Sequence, residues 1–311
     1  MHYSPLRYPG GKNRLAAFIA KICVDNCING HYVEPYSGGA SVALFLLFEG
    51  FVDKITINDK DRSIYAFWHS VLNRTEQLCE LIENTEITVE EWRRQREVQI
   101  RKNKANLLEL GFSTFFLNRT NRSGIINGGI IGGVDQNGEY LIDCRFNKQS
   151  LISRIRKIAS YKKHICLYKK DALKLIDKIR EEAQDANVLF YFDPPYYYKA
   201  SSLYMNHYKD ENHRLVSEKI KEINNIRWIV SYDNVPEIRN LYLECKKKEY
   251  SFKHTAYSSR IGKEILFFSP NLLIPDLNDK NPIHFKFSKC KKGRMLLYDD
   301  QARKASHANT P

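Results

Sequence analysis

Along the first sixty residues the spacing of apolar positions changes period twice. Leu15, Phe18, Ile19, Ile22 and Cys23 recur at helical spacing after a Gly-Gly turn, which predicts a helix from Leu15 to Ile28. "YVEP" then reads as a short strand, "YSGGAS" as a glycine turn, Val42 to Phe48 as an apolar helix, and "DKITINDKD" as a second strand ending in acids. Strand, turn, helix and strand in that order make a βαβ unit, and such units build parallel sheets. Strand-like runs return in "HICLYKKDA", "VLFYFDPPY", "IRWIVSYDN" and "EILFFSP", with helical segments between them.

The stretch from about 62 to 150 has a different pattern. "EEWRRQREVQIRKNKANLLEL" predicts a charged helix with a basic middle, and "FFLNRTNRSGIINGGIIGGVDQNGEYLIDCRFN" is rich in Gly and Asn with short β-prone runs. Asn137-Gly138 between such runs signals a β-hairpin. The fold class is therefore α/β, one sheet domain in two pieces (1–61 and 151–275) with a mostly helical insertion (62–150) carrying the hairpin. No internal repeat is visible. Beyond Pro275, Lys280, Lys286, Lys289, Lys291, Lys292 and Arg294 predict a flexible basic arm over 276–311.

Composition adds a sign to this outline. The 311 residues, 43% hydrophobic and 27% charged, suit a soluble protein with a full core. Lys and Arg number 49 against 36 Asp and Glu, a formal charge of +13 that favours a polyanionic partner. The N-terminal stretch has no apolar leader, and "ASVALFLLFEGF" is interrupted by Glu49 and too short to span a bilayer. A cytoplasmic protein with no membrane partner is expected. Seven scattered cysteines give no disulfide framework, and Cys23 and Cys27 read as helix-spaced core thiols rather than metal ligands.

Chemistry enters at the strand ends. In open α/β sheets a glycine turn lets a ligand approach the backbone, and an acid about 20 residues on bonds ribose hydroxyls. Gly39 and Asp59 stand 20 apart, with Asp59 ending the next strand. "YSGGAS" is not G-x-G-x-x-G, so a nucleoside site is indicated and a nicotinamide oxidoreductase disfavoured. A tight turn without a ligand would look the same in isolation.

Asp193 to Tyr196, D-P-P-Y, closes another strand. Two prolines donate no N–H and keep the chain extended, which leaves the Pro194 carbonyl available beside the Asp193 carboxylate and the Tyr196 ring. Two acceptors and an aromatic face suit a planar exocyclic amine. Such acceptors draw the amine hydrogens out of plane and aim its lone pair at an electrophile, an electrostatic effect on the transition state. D-P-P can also simply end a strand.

Taken together, these motifs resemble the Dam-type DNA adenine-N6 methyltransferases, over roughly residues 5 to 270. "PLRYPGGK" looks like the family's N-terminal Gly-Gly-Lys motif, "VEPYSGGAS" like the cofactor loop, "NDKD" like the ribose acid segment, "KKDAL" like the strand end at the cofactor's adenine, and "DPPY" like the catalytic motif. Their order, with the insertion between glycine loop and D-P-P-Y, is that of the family's class. The resemblance implies a Rossmann-like methyltransferase sheet and S-adenosylmethionine as cofactor, with no metal. The cofactor would be held by Tyr8, Gly11, Lys12, Glu34, Pro35, Tyr36, Ser37, Gly38, Gly39, Ala40, Asp59, Lys60, Asp171 and Asp193, and catalysis would fall to Asp193, Pro194, Pro195 and Tyr196. The family loop is commonly F-x-G-x-G, so Ala40 departs from it at the last glycine.

The implied partner is double-stranded DNA, with no obligate protein partner, and the target base must be flipped out of the duplex. Arg93, Arg94, Arg96, Arg101 and Lys102 are candidates for phosphate contacts, although a solvated helix face has the same appearance. Arg119, Asn121 and Arg122 are of the types that read guanine and adenine edges, and Arg145 joins them from the expected hairpin. "YYYKASSLYMNHY" suggests a loop over the flipped base. A cytosine-N4 or RNA amine methyltransferase, or a silent DNA-binding protein of the same fold, would share most of these features.

Overall fold

The computed structural model describes residues 2–7, 12–182, 187–198, 208–253, 261–277, 281–289 and 295–297. Its centre is a seven-stranded sheet: β1 (His31–Glu34), β2 (Lys54–Asn58), β3 (Ile165–Tyr168), β4 (Val188–Phe192), β5 (Arg227–Asp233), β6 (Lys246–Lys253) and β7 (Ile261–Phe268). The order is β3-β2-β1-β4-β5-β7-β6, parallel throughout except for β7, which runs antiparallel to both β5 and β6. Strand order reverses between β1 and β4, and this is where an open α/β sheet leaves a crevice beyond its carboxyl ends.

Side chains alternate between two cores. Tyr32, Leu189, Tyr191 and Ile229 pack on one face with α1 (Ala16–Asp25) and α2 (Ser41–Phe48), whereas Val33, Phe190, Phe192 and Val230 pack on the other with Leu175, Ile176, Val216 and Ile220. Burial on both faces explains why β4 is apolar at all five positions. The six strands expected from sequence are all present. The seventh, β6, reads "KKKEYSFK"; it pairs on one side only, and lysines are what protect an open edge, so apolar alternation gave no sign of it.

The insertion is helical: α3 (Arg62–Asn73), α4 (Thr75–Asn84), α5 (Val89–Ile100) and α6 (Leu107–Thr120), followed after a turn-rich stretch by α7 (Lys148–Ser160). The single charged helix expected over "EEWRRQREVQIRKNKANLLEL" is two, because Asn106 caps a fresh start by accepting from the Glu109 N–H at 2.9 Å. "FFLNRT", expected to be β-prone, is the last turn and a half of α6.

The hairpin expected over Gly129 to Phe146 does not form. One isolated antiparallel bridge, Asn121 to Ile130, stands in its place. Gly132 and Gly133 have φ of 83° and 78° and Gln136 has 51°. The Gln136 side chain donates to the Ile131 carbonyl at 2.9 Å and accepts from the Ile142 N–H at 2.8 Å. Side-chain bonds thus take the backbone groups that a ladder would have used.

Two smaller expectations change as well. Cys23 is a core thiol, but Cys27 is exposed beyond the end of α1. Part of the expected basic arm is ordered, as β8 (Phe287–Lys289) pairs antiparallel with β9 (Met295–Leu297). Among the described residues no helix is long and apolar enough to cross a membrane.

Candidate active site

A cavity of about 910 Å³ opens beyond the carboxyl ends of the parallel strands. Its walls bring together the ends of β1, β2, β3 and β4, the N-terminal segment, and residues from α6 to α7. Asp59, Asp171 and Asp193 each follow a strand at this edge. Sequence separations of more than a hundred residues are closed by parallel pairing alone.

At one end the wall is acidic. Glu34 ends β1, is 5% exposed, and accepts from the Ala43 N–H in the first turn of α2 at 3.1 Å. Burial pushes its carboxyl up to about 8. Asp59 accepts from the Gly38 N–H at 3.2 Å and the Asp61 N–H at 2.9 Å. Burial, reinforced by the neighbouring Asp61, raises Asp59 to about 7. Asp171 pairs with the Lys60 ammonium at 3.0 Å and accepts from the Leu173 N–H at 3.1 Å.

The glycine turn connects these acids. Gly38 has φ 44° and Ala40 has φ 48°, so an alanine occupies a left-handed conformation that costs an L residue roughly 1–2 kcal/mol. Trp68 of α3 fixes the turn by donating its indole N–H to the Gly38 carbonyl at 2.9 Å. Tyr36 meets Tyr208 hydroxyl to hydroxyl at 2.9 Å. The Ser37 hydroxyl lies on the cavity wall, buried and without a hydrogen-bond partner among the described residues. A bound group with a donor or acceptor there would satisfy it, and three carboxylates around it suit a ligand with hydroxyls and positive charge. Of the expected cofactor residues, Glu34, Pro35, Tyr36, Ser37, Gly39, Ala40, Asp59, Lys60, Asp171, Lys12 and Asp193 line this cavity. Tyr8 and Gly11 lie outside the described residues, as does most of the tyrosine-rich loop after Tyr198.

Asp193, also on the cavity wall, is held by two side chains. Lys12 reaches Oδ1 at 2.9 Å and Oδ2 at 3.0 Å, and Ser231 of β5 donates to Oδ1 at 2.6 Å. Behind Asp193, the Lys12 ammonium donates to the Tyr196 hydroxyl at 2.7 Å and stands 3.8 Å from Glu264 of β7. Tyr196 and Tyr250 both donate their hydroxyls to Glu264. Burial raises the Glu264 carboxyl, and Lys12 opposes that rise.

This cluster changes the expectation for Tyr196. Its ring is 3% exposed, it carries the Lys12 ammonium 4.9 Å from its centroid, and it is not among the described residues that line the cavity. It is an anchor for Lys12 and Glu264, where the motif alone suggested a stacking surface. Pro195 lines the wall, while Pro194 is buried beside it. Ser231 and Glu264 were not singled out from sequence.

At the other end the wall is basic. Arg7 from the N-terminal segment, Arg119 from α6, Arg145 from the loop before α7 and Arg154 from α7 all line it. None of the four makes a salt bridge among the described residues; Arg7, Arg119 and Arg154 hydrogen-bond to backbone carbonyls, and the Arg145 guanidinium lies 5.8 Å from the Tyr140 ring centroid. Arg119 donates to the Arg145 carbonyl at 2.7 Å, Arg7 to that of Asn121 at 3.4 Å, and Arg154 to that of Ser4 at 3.3 Å. Burial, and after it the charges of Arg7, Arg154 and Arg145, lower Arg119 to about 10.

Asn121, a candidate for base edges, is placed inside the protein. It is fully buried, accepting from the Trp92 indole at 2.6 Å and donating to the Ile125 and Ile126 carbonyls at 2.9 and 2.8 Å, so its amide holds the loop that walls the basic end. Arg122 is exposed, and Arg93 and Arg94 lie on the outer face of α5, paired at i−3 with Glu90 and Glu91.

The sequence profile of the D12 class N6 adenine-specific DNA methyltransferases matches residues 8–256. The type II methyltransferase M.MjaIII of Methanocaldococcus jannaschii is 24% identical over 207 residues, 61% of this chain and 68% of that protein. Among solved structures, the rRNA methyltransferase aviRa of Streptomyces viridochromogenes aligns over 84% of this chain and 85% of its own at 12% identity and a TM-score of 0.37.

Proposed function

Because the chain belongs to the D12 class N6 adenine-specific DNA methyltransferases, we propose that the cavity holds S-adenosylmethionine at its acidic end and a flipped adenine of double-stranded DNA at Asp193. The reaction of the family is methylation of adenine N6 in DNA. Bound S-adenosylmethionine supplies a methyl group on a positively charged sulfur. Asp59 would accept from the ribose hydroxyls, Asp171 would border the adenine of the cofactor, and Ser37 would gain its missing partner.

The observation that carries this reading is how Asp193 is anchored. Its described bonds use Oδ1 twice and Oδ2 once, and a carboxylate oxygen has two lone pairs, so one acceptor position on Oδ2 stays open toward the cavity. One amine N–H can dock there and the Pro194 carbonyl can take the other. Lys12, Ser231, Tyr196 and Glu264 keep the carboxylate from turning, so it need not reorganise as positive charge develops on the amine nitrogen. Asp193 and Pro194 act on the amine; the other four are positioning residues.

The helical insertion 62–150 then serves as the target-recognition region, with Arg122, Arg93 and Arg94 as outlying DNA contacts. A place beside a restriction enzyme, as the type II relative's name suggests, fits the same chemistry. The test is to incubate the protein with labelled S-adenosylmethionine and unmethylated duplex DNA, then digest and identify the nucleoside. N6-methyladenosine of the deoxy series is expected; N4-methylcytosine, or transfer to RNA alone, would overturn the reading.

A further inference from the structure

The basic end of the cavity makes a demand that base recognition does not meet. Four guanidiniums from four separate segments converge on one wall, and no carboxylate within salt-bridge distance offsets them among the described residues. The backbone-carbonyl partners of Arg7, Arg119 and Arg154 fix direction but carry no net charge. Arg119 and Arg7 both have lowered pKa values, chiefly through burial and then through the neighbouring arginines. A like-charge cluster of this kind needs a ligand with full negative charge, and a base edge offers only partial charges.

The position of Arg7 is built rather than incidental. The Asn118 amide clamps its backbone, accepting from the Arg7 N–H at 2.7 Å and donating to the Arg7 carbonyl at 2.8 Å. Gly124, with φ 76°, packs so closely that a Cβ there would sit 2.1 Å from the Arg7 carbonyl oxygen. Glycine is needed at 124 for both reasons. The N-terminal segment is thereby fastened to the far end of α6, and Arg7 is delivered to the same wall as Arg119 and Arg154.

We propose that Arg7, Arg119, Arg145 and Arg154 form a phosphodiester site, which grips the DNA backbone beside the extruded nucleotide instead of reading base edges. This rests on the reading of the chain as a DNA methyltransferase and adds Arg7 and Arg154 to its DNA-contacting residues; Arg154 lies in no motif, and Arg7 lies within "PLRYPGGK" with no role assigned to it there. It also reassigns Arg119 and Arg145 from base edges to backbone. A phosphodiester has one full charge and two free oxygens, a match for the guanidinium fork. The amino-acid end of the cofactor has a carboxylate as the only alternative anion in reach, and its own ammonium group cancels that charge.

Salt dependence separates these possibilities. The full-length protein and its Arg154→Ala and Arg7→Ala variants are titrated by fluorescence anisotropy from about 50 to 300 mM salt, on a duplex bearing the site mapped with the wild-type enzyme and on a duplex of G·C pairs alone. Each variant should weaken binding to both duplexes by the same factor, about tenfold at the low-salt end, and flatten the slope of log K against log salt by about 1. Arg154→Lys should keep most of the slope. S-adenosylmethionine affinity, measured by calorimetry, should not move.

Weakening confined to the mapped site would make these arginines base readers and overturn the proposal. So would a loss of S-adenosylmethionine affinity at an unchanged slope, which would assign the wall to the cofactor carboxylate. An unchanged slope with a lowered melting temperature would leave Arg154 a brace for Ser4 and would equally overturn it. The methyltransferase reading fails separately, if wild-type protein transfers no methyl group to the same DNA.

Discussion

At the acidic end of the cavity Glu34, Asp59 and Asp171 each hold a backbone N–H, and Asp171 also a lysine, whereas at the basic end Arg7, Arg119 and Arg154 spend their bonds on neutral carbonyls. The acids are satisfied before any ligand arrives, apart from the proton that burial leaves on some of them. The arginines repel one another until something negative arrives. Under the proposed reading, one end is preorganised for a small molecule that comes and goes each turnover, and the other holds a positive charge that a polyanion would offset.

Asp193 stands between the two ends, and its loss should have the largest effect. Asp193→Ala is expected to lower turnover about 100- to 1000-fold, with S-adenosylmethionine affinity within twofold of wild type. Single-turnover methyl transfer and calorimetry measure the two. Near wild-type turnover would remove Asp193 from the chemistry and with it the boundary between the ends.

Asn121→Ala attacks the basic end alone. It strands the Trp92 indole N–H and two carbonyls, so the protein should lose roughly 2–4 kcal/mol of stability in a urea titration. DNA affinity should fall with it while the cofactor still binds. Equal loss of both ligands would show that the two ends are not separable.

pH tests the acidic end. Asp59 stands at about 7 in the folded protein, against about 4 for an unfolded aspartate. Between those values the native state holds the extra proton, so this group makes the free protein less stable as pH rises from about 4 to about 7. Ribose hydroxyls donate to the ionised carboxylate, so S-adenosylmethionine should bind about tenfold more tightly at pH 8 than at pH 6. Asp59→Asn should flatten that profile, and a profile unchanged by the substitution would take Asp59 out of the cofactor site.

The smallest effect belongs to the turn. Ala40→Gly removes a side chain from a residue at φ 48°, and relief of that strain less the added freedom of glycine should raise stability by about 0.5–1 kcal/mol. S-adenosylmethionine should bind equally well or slightly better. A loss of stability would mean that the Ala40 methyl, buried in the core, packs well enough to outweigh its backbone conformation.

How legible each end was follows from where its residues sit. Asp59, Asp171 and Asp193 close apolar strands, and an acid at the end of such a run stands out. Arg154 lies among Arg156 and Lys157 on an amphipathic helix and looks like any solvated cation, and Arg7 sits inside "PLRYPGGK", where only Tyr8, Gly11 and Lys12 were given a role. Glu264 did leave a trace. It shares a strand face with Leu266 and Phe268, both in the core, so a carboxylate occupies a position where alternation calls for an apolar residue. The hairpin failed for a reason no local rule contains, because the Gln136 side chain competes for the backbone groups of its own loop.

The antiparallel strand β7 places Glu264 behind Asp193, and that arrangement also sets a clock. Lys12 leaves the ribosome well before Asp193 and Ser231, and Glu264 arrives only after all three have emerged. At ~5–20 residues per second that is an interval of roughly 10 to 50 seconds. During it a nascent chain can shape the cofactor turn but has nothing to clamp the lysine against the aspartate. A product truncated before β7 would lack Glu264 and the anchor that it gives Lys12 and Tyr196.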